Sequence, residues 1–157
     1  HIPLSAWNGL NKRLLEPILG NVGVPTIMLQ MPSRPIPIKP RILVIERDIE
    51  LQKRIARSLD GLYTIDLTSS GALALLLMKD YRYSCILAST ELPNRHRGTG
   101  IVKAIRSMPG GRYVPIVATA SNDTKLRNAD GFVASITLPR DVGRIDDVVL
   151  AVLEAWD

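Results

Sequence analysis

The sequence predicts an α/β domain in which a five-stranded parallel sheet is doubly wound, with helices on both faces. Two observations carry this. Continuous apolar runs such as Ile42-Leu43-Val44-Ile45 and Cys85-Ile86-Leu87-Ala88 suit strands buried on both faces. Between such runs lie segments with apolar residues at helical spacing, the clearest being Ile145, Val148, Val149, Val152 and Trp156.

After the first strand, Asp48 is placed to cap a helix whose inner positions are Leu51, Ile55 and Leu59, with Gly61 ending it. Tyr63, Ile65 and Leu67 alternate with Thr64 and Asp66, the pattern of an edge strand. Ser69 or Ser70 opens a second helix through Ala72 to Met78, whose unbroken apolarity suits the core and leaves room for a partner-facing side. The strand at Cys85 to Ala88 is followed by a helix carrying Ile101, Val102 and Ile105, then by a turn at Gly110-Gly111. A strand is expected at Val114 to Ala118 and another from Phe132 to Leu138. The polar stretch between them, Asn122 to Asn128, is too weakly patterned for a strong amphipathic helix.

A chain of 157 residues with 46% hydrophobic content holds one domain with a complete core plus an appendage. Residues 1–30 read as an N-terminal arm or the tail of a preceding domain. Residues 31–40, with proline at nearly every second position, read as a linker, and residues 41–157 as the domain. The single Cys85 excludes an internal disulfide and lies in an apolar run, so it reads as a small core residue in a reducing compartment. No apolar run reaches the roughly 20 residues of a membrane span, and no signal-peptide pattern opens the chain, so a cytoplasmic location is expected. The net charge of +5 argues little for nucleic acid, because Lys12, Arg13, Arg34 and Lys39 against Glu16 put +3 of it before the domain, and aromatic content is 4%.

In an open parallel sheet, ligands bind beyond the carboxyl ends of the strands. The residues there are Glu46-Arg47, Ser89, Thr119 and Leu138-Pro139. Together with Ser89-Thr90-Glu91-Leu92-Pro93 and Val114-Pro115-Ile116-Val117-Ala118-Thr119-Ala120, they make residues 41–157 resemble the receiver domains of response regulators and hybrid histidine kinases. The resemblance implies a strand order of 2-1-3-4-5. It puts Ser89 at the phosphoacceptor position, Glu46 and Arg47 at the paired acids, Thr119 at the switch threonine, Leu138 at the phosphoryl-contacting lysine and Ser135 at the switch aromatic.

These departures imply a degenerate phosphoacceptor pocket. Serine without an adjacent base is a poor nucleophile near neutral pH. Arg47 stands where magnesium needs a carboxylate, and Leu138 brings no charge to a phosphoryl group. An ion pair from Arg47 to Glu46, Asp48 or Glu91 is the expected replacement. The interval from Thr119 to Leu138 is also shorter than the family's by about one helical turn, which points to a stunted or melted helix there.

The expected function is therefore binding and not catalysis, with no cofactor and no metal. The expected role is a phosphorylation-independent pseudo-receiver that contacts a histidine kinase or another receiver, in cis or in trans, or a second copy of itself. The alternative is a sensor of the same fold for a small phosphorylated ligand such as a cyclic dinucleotide, using Arg95, His96 and Arg97 as an anion-binding loop. A solvated basic loop with an exposed His96 is the plainer reading of that triplet, since no glycine-rich cradle accompanies it.

Overall fold

The computed structural model describes residues 38–126 and 130–156. The expected arm and most of the proline-rich linker lie outside the described residues. The described domain falls in the second of two units of the chain, Lys39–Asp157.

Its elements alternate as β1 (Arg41–Ile45), α1 (Ile49–Leu59), β2 (Thr64–Thr68), α2 (Gly71–Asp80), β3 (Cys85–Ser89), α3 (Gly100–Arg106), β4 (Ile116–Ala120), β5 (Ala134–Thr137) and α4 (Ile145–Trp156). The five strands are all parallel and lie in the order β2-β1-β3-β4-β5. Asp48 starts α1 as its sequence position predicts, its side chain accepting the backbone N–H groups of Glu50 at 2.9 Å and Leu51 at 3.3 Å. Gly61 follows the end of α1 with φ of +78°, a conformation costly for residues with a Cβ. Ser70 is the N-cap of α2.

Because successive strand residues face opposite sides of a sheet, each apolar run supplies two cores. Leu43, Ile45, Ile86, Ala88 and Ile116 face one side and pack with Ala74 and Met78 of α2 and with Ile101 and Ile105 of α3. Ile42, Val44, Cys85, Leu87 and Val117 face the other and pack with Ile55 and Leu59 of α1 and Val149 and Val152 of α4. This is why the inner strands read as unbroken hydrophobic runs.

Three expectations shift in detail, and a fourth holds. β4 begins at Ile116 and not Val114, since Pro115 has no N–H for the ladder and only its carbonyl pairs, accepting from Ile86 N–H at 3.0 Å. In the edge strand β2, Leu67 is exposed while Thr68 is buried, because an edge has a neighbour on one side only. Trp156 has the right phase on α4 but is 49% exposed; it occupies the last turn, and a ring of that size is seldom fully covered. Between β4 and β5 the described residues hold a 3-10 turn, Asp123–Leu126, and no α-helix, as the polar stretch and the short interval predict.

Cys85 lies fully buried in β3, and burial pushes its thiol pKa up to about 12. The thiol therefore stays protonated and inaccessible at neutral pH. Iodoacetamide is expected to leave Cys85 unmodified in the folded protein and to alkylate it fully in denaturant, as read by intact mass. Rapid alkylation without denaturant would contradict the burial of β3.

Candidate functional site

The carboxyl ends of β1, β3, β4 and β5 open into one cleft of about 880 Å3. Glu46, Arg47 and Asp48 enter it after β1, Ser89, Thr90 and Glu91 around the end of β3, and Leu138 after β5. Four strand-end residues singled out from the sequence, Glu46, Arg47, Ser89 and Leu138, thus share one site. Thr119 does not line it. It lies buried within β4, opposite Ser89 in register, while Ala120 and Ser121 reach the cleft in its place. Ser135 is exposed on β5.

Each acid of this cleft, and Ser89, already has a hydrogen-bond partner. Buried Glu46 accepts the Asp48 N–H at 3.1 Å, and the Gln52 side chain donates to its carbonyl at 2.6 Å. Burial raises the Glu46 pKa, partly offset by the backbone N–H groups of Asp48 and Arg47. Ser89 is buried, its Oγ accepting the Glu91 N–H at 3.0 Å. Asp48 is occupied in capping α1. Glu91 accepts the Ser121 N–H at 2.7 Å and the Ser121 hydroxyl at 3.0 Å, and its carboxylate is bridged by the Lys125 ammonium.

The ion pair expected for Arg47 does not form: among the described residues Arg47 has no salt bridge and lies exposed. Each acid it was expected to meet already has nearer donors, and for Glu91 the cation is Lys125. Burial raises the Glu91 pKa, but the hydrogen bonds from Lys125 and Ser121 outweigh it and hold the carboxyl below its ordinary value. Glu91 therefore adds stability above the unfolded carboxyl's pKa, and that contribution is lost as pH falls through its depressed folded value. Glu46, with its pKa raised, acts in the opposite sense, since acid relieves the cost of its buried charge.

A second cluster fixes the same connection from the other side. Asp123 accepts the Thr137 hydroxyl at 2.5 Å and the Arg140 guanidinium at 3.1 Å, and Arg140 also donates to Asp141 at 2.9 Å. The Arg140 hydrogen bond, followed by that from Thr137, lowers the Asp123 pKa.

Magnesium, which the receiver resemblance implies, does not fit this donor set. The ion requires near-octahedral oxygen ligation at roughly 2.0–2.1 Å, commonly with carboxylates. Here Asp48 and Glu91 are engaged by N–H, hydroxyl or ammonium donors, burial penalises the charged form of Glu46, and Arg47 adds positive charge to the cleft. Among the described residues no three His, Cys, Asp or Glu side chains converge as a metal-ligating group.

The basic triplet does not act as one loop. Arg95 is exposed, Arg97 lines the cleft, and His96 turns inward to be 8% exposed, contrary to the expectation of an exposed histidine. The physical reason is the 3-10 turn Asn94–His96, which sends successive side chains about a third of a turn apart. His96 packs on Gly71 at the start of α2, where a Cβ would come within 2.3 Å of its Nδ1. Burial, and then the charge of Arg95, lower the His96 pKa.

No family model and no curated protein matches the sequence. Solved structures do. The receiver domain of the sensor histidine kinase PA1611 from Pseudomonas aeruginosa PAO1, which carries a magnesium ion in its active-site cleft, is 25% identical, with a TM-score of 0.65 over 74% of this chain and 98% of that one. A putative response regulator from Chloroflexus aurantiacus J-10-fl is 21% identical, with a TM-score of 0.66 over 74% of this chain and 98% of that one. The chemotaxis response regulator CheY4 of Vibrio cholerae is 18% identical, with a TM-score of 0.63 over 73% of this chain and 98% of that one.

The domain has the receiver fold.

Within this receiver fold, sequence reasoning missed Ser121, Lys125, Asp123 and Arg140 as parts of the site and its frame. Lys125 and Glu91 lie 34 residues apart, and no periodicity links them. The one signal that pointed there was the shortened interval between Thr119 and Leu138. Among the described residues no helix is long and apolar enough to cross a membrane.

Proposed function

We propose that the domain is a phosphorylation-independent pseudo-receiver in two-component signalling, working by protein–protein interaction and not by catalysis. It would sit within a hybrid histidine kinase or a response regulator, on the cytoplasmic side, and contact a kinase or receiver domain in cis or in trans. The observation that carries this reading is Ser89. The residue at the end of β3 is a buried serine whose Oγ is held by the Glu91 N–H, in a cleft whose other acids are engaged and whose β5 side is lined by Leu138. Such a hydroxyl, with no base among its hydrogen-bond partners, is a poor nucleophile toward a phosphorus centre.

An intact fold with an engaged pocket makes surface recognition the remaining use. α4 exposes Leu150 and Trp156, and α2 exposes Leu73 and Leu76, so apolar side chains are available to a partner on both helical layers.

The test is intact-mass measurement of the full chain after incubation with magnesium and acetyl phosphate. An unchanged mass is expected at every donor concentration. A stoichiometric phosphoryl adduct would overturn the reading.

A further inference from the structure

The β3 end of the cleft holds an anion that belongs to the protein. Three donors of different kinds converge on the Glu91 carboxylate: the Ser121 N–H at 2.7 Å, the Ser121 hydroxyl at 3.0 Å and the Lys125 ammonium. A backbone amide, a hydroxyl and a cation directed at two oxygens form the donor set that recognises a carboxylate or phosphate group. Two further cations, Arg47 and Arg97, line the same cleft and make no salt bridge among the described residues.

The donors also have anchors besides Glu91, so its removal loosens their placement without abolishing it. Lys125 sits in the 3-10 turn Asp123–Leu126, where its own N–H donates to the Asn122 side chain at 3.1 Å and to the Asn122 carbonyl at 3.2 Å. Asp123 in the same turn is tied to Thr137 and Arg140. Ser121 follows directly on β4, whose last carbonyl, that of Ala120, accepts the N–H of Leu138 just past β5 at 2.7 Å.

We propose that Ser121 and Lys125 form an oxyanion site whose resident ligand is the domain's own Glu91, and that this internal ligand holds the β4–β5 connection in place. With Glu91 removed, the site takes a small tetrahedral oxyanion of the inorganic phosphate class, with Arg97 and Arg47 adding attraction from across the cleft. The inference rests on the phosphorylation-independent reading and deepens it: a built-in carboxylate replaces the external anion that would otherwise engage these donors.

Hydrogen exchange on the full chain, followed by mass spectrometry of peptides spanning residues 119–126, tests it in chloride and in inorganic phosphate at matched ionic strength and neutral pH. The wild type is expected to be protected and insensitive to phosphate. Glu91→Ala is expected to exchange there about tenfold faster in chloride, as loss of charge-assisted hydrogen bonds implies, and to regain protection in phosphate. Lys125→Met is expected to show the same acceleration without recovery. Glu91→Ser, which also vacates the site but leaves a small polar side chain in the cleft, serves if the alanine variant fails to fold and is expected to respond to phosphate in the same direction.

Unchanged exchange on removing Glu91 would overturn the proposal. So would acceleration that phosphate does not reverse in either Glu91 variant, which would leave Glu91 as an ordinary salt-bridge partner. A phosphoryl adduct on the wild type bears on the phosphorylation-independent reading alone, because the exchange experiment involves no phosphoryl transfer.

Discussion

A variant carrying Ser89→Asp, Arg47→Asp and Leu138→Lys together is expected to acquire a phosphoryl group from acetyl phosphate in magnesium, far faster than any of the single variants. The three positions line one cleft with Glu46, so the substitutions would assemble a carboxylate nucleophile, a pair of acids and a charge clamp at a single point. Each part alone is expected to do little. Leu138→Lys by itself places a cation at a position 1% exposed with no added partner, which costs stability. Ser89→Asp by itself sets a carboxylate in a cleft that still carries Arg47 where the resemblance calls for a metal-binding acid. Groups that operate as a unit are strongly non-additive, and the triple variant should exceed the best single variant by more than about tenfold in initial rate, a barrier difference of roughly 1.4 kcal/mol. Intact mass against time supplies the measurement, with circular dichroism confirming folding. A folded triple variant no more reactive than Ser89→Asp would show that the obstruction lies elsewhere, with the Glu91–Lys125 bridge as the first suspect.

Ile86→Ala is expected to destabilise the domain by about 2–5 kcal/mol, out of the roughly 5–15 kcal/mol that holds an ordinary domain folded. Ile86 has no exposed surface and sits at the middle of the sheet, in register with Leu43 of β1 and Ile116 of β4. Those strands are themselves paired on both sides, so the cavity left by the lost methylenes has little means of closing. Urea unfolding of the two proteins at one temperature gives the difference from the midpoints, provided the slope is unchanged. A loss below about 1 kcal/mol would be inconsistent with a tightly packed face under α2 and α3.

The fold was legible because its strongest signals are local and periodic. Unbroken runs at Ile42 to Ile45 and Cys85 to Ala88 can bury both faces only in a covered parallel sheet, and Asp48 and Ser70 mark where helices begin. The strand-end rule then brought Glu46, Arg47, Ser89 and Leu138 together with no knowledge of distances. It failed at β4, where Thr119 is buried and Ala120 and Ser121, one and two positions further on, reach the cleft. The exposed-loop reading of His96 failed separately, because composition shows a basic loop but not which way a 3-10 turn sends each side chain.

By itself the sequence determined the class of fold, the strands that form its centre and the absence of an aspartate where β3 ends. Those features are written in residue identity and in spacings of two to four positions. Only the tertiary structure decided which charges meet. Arg47 was the nearer cation to Glu46 and Asp48 along the chain, yet Lys125, 34 residues from Glu91, is the one that bridges an acid of the cleft. Asp123 likewise meets Arg140 across 17 residues. The physical reason is that a side chain bonds to whichever donors folding brings within about 3 Å. For Glu91 those donors come from Ser121, just past β4, and from a turn that lacks the periodicity of a helix.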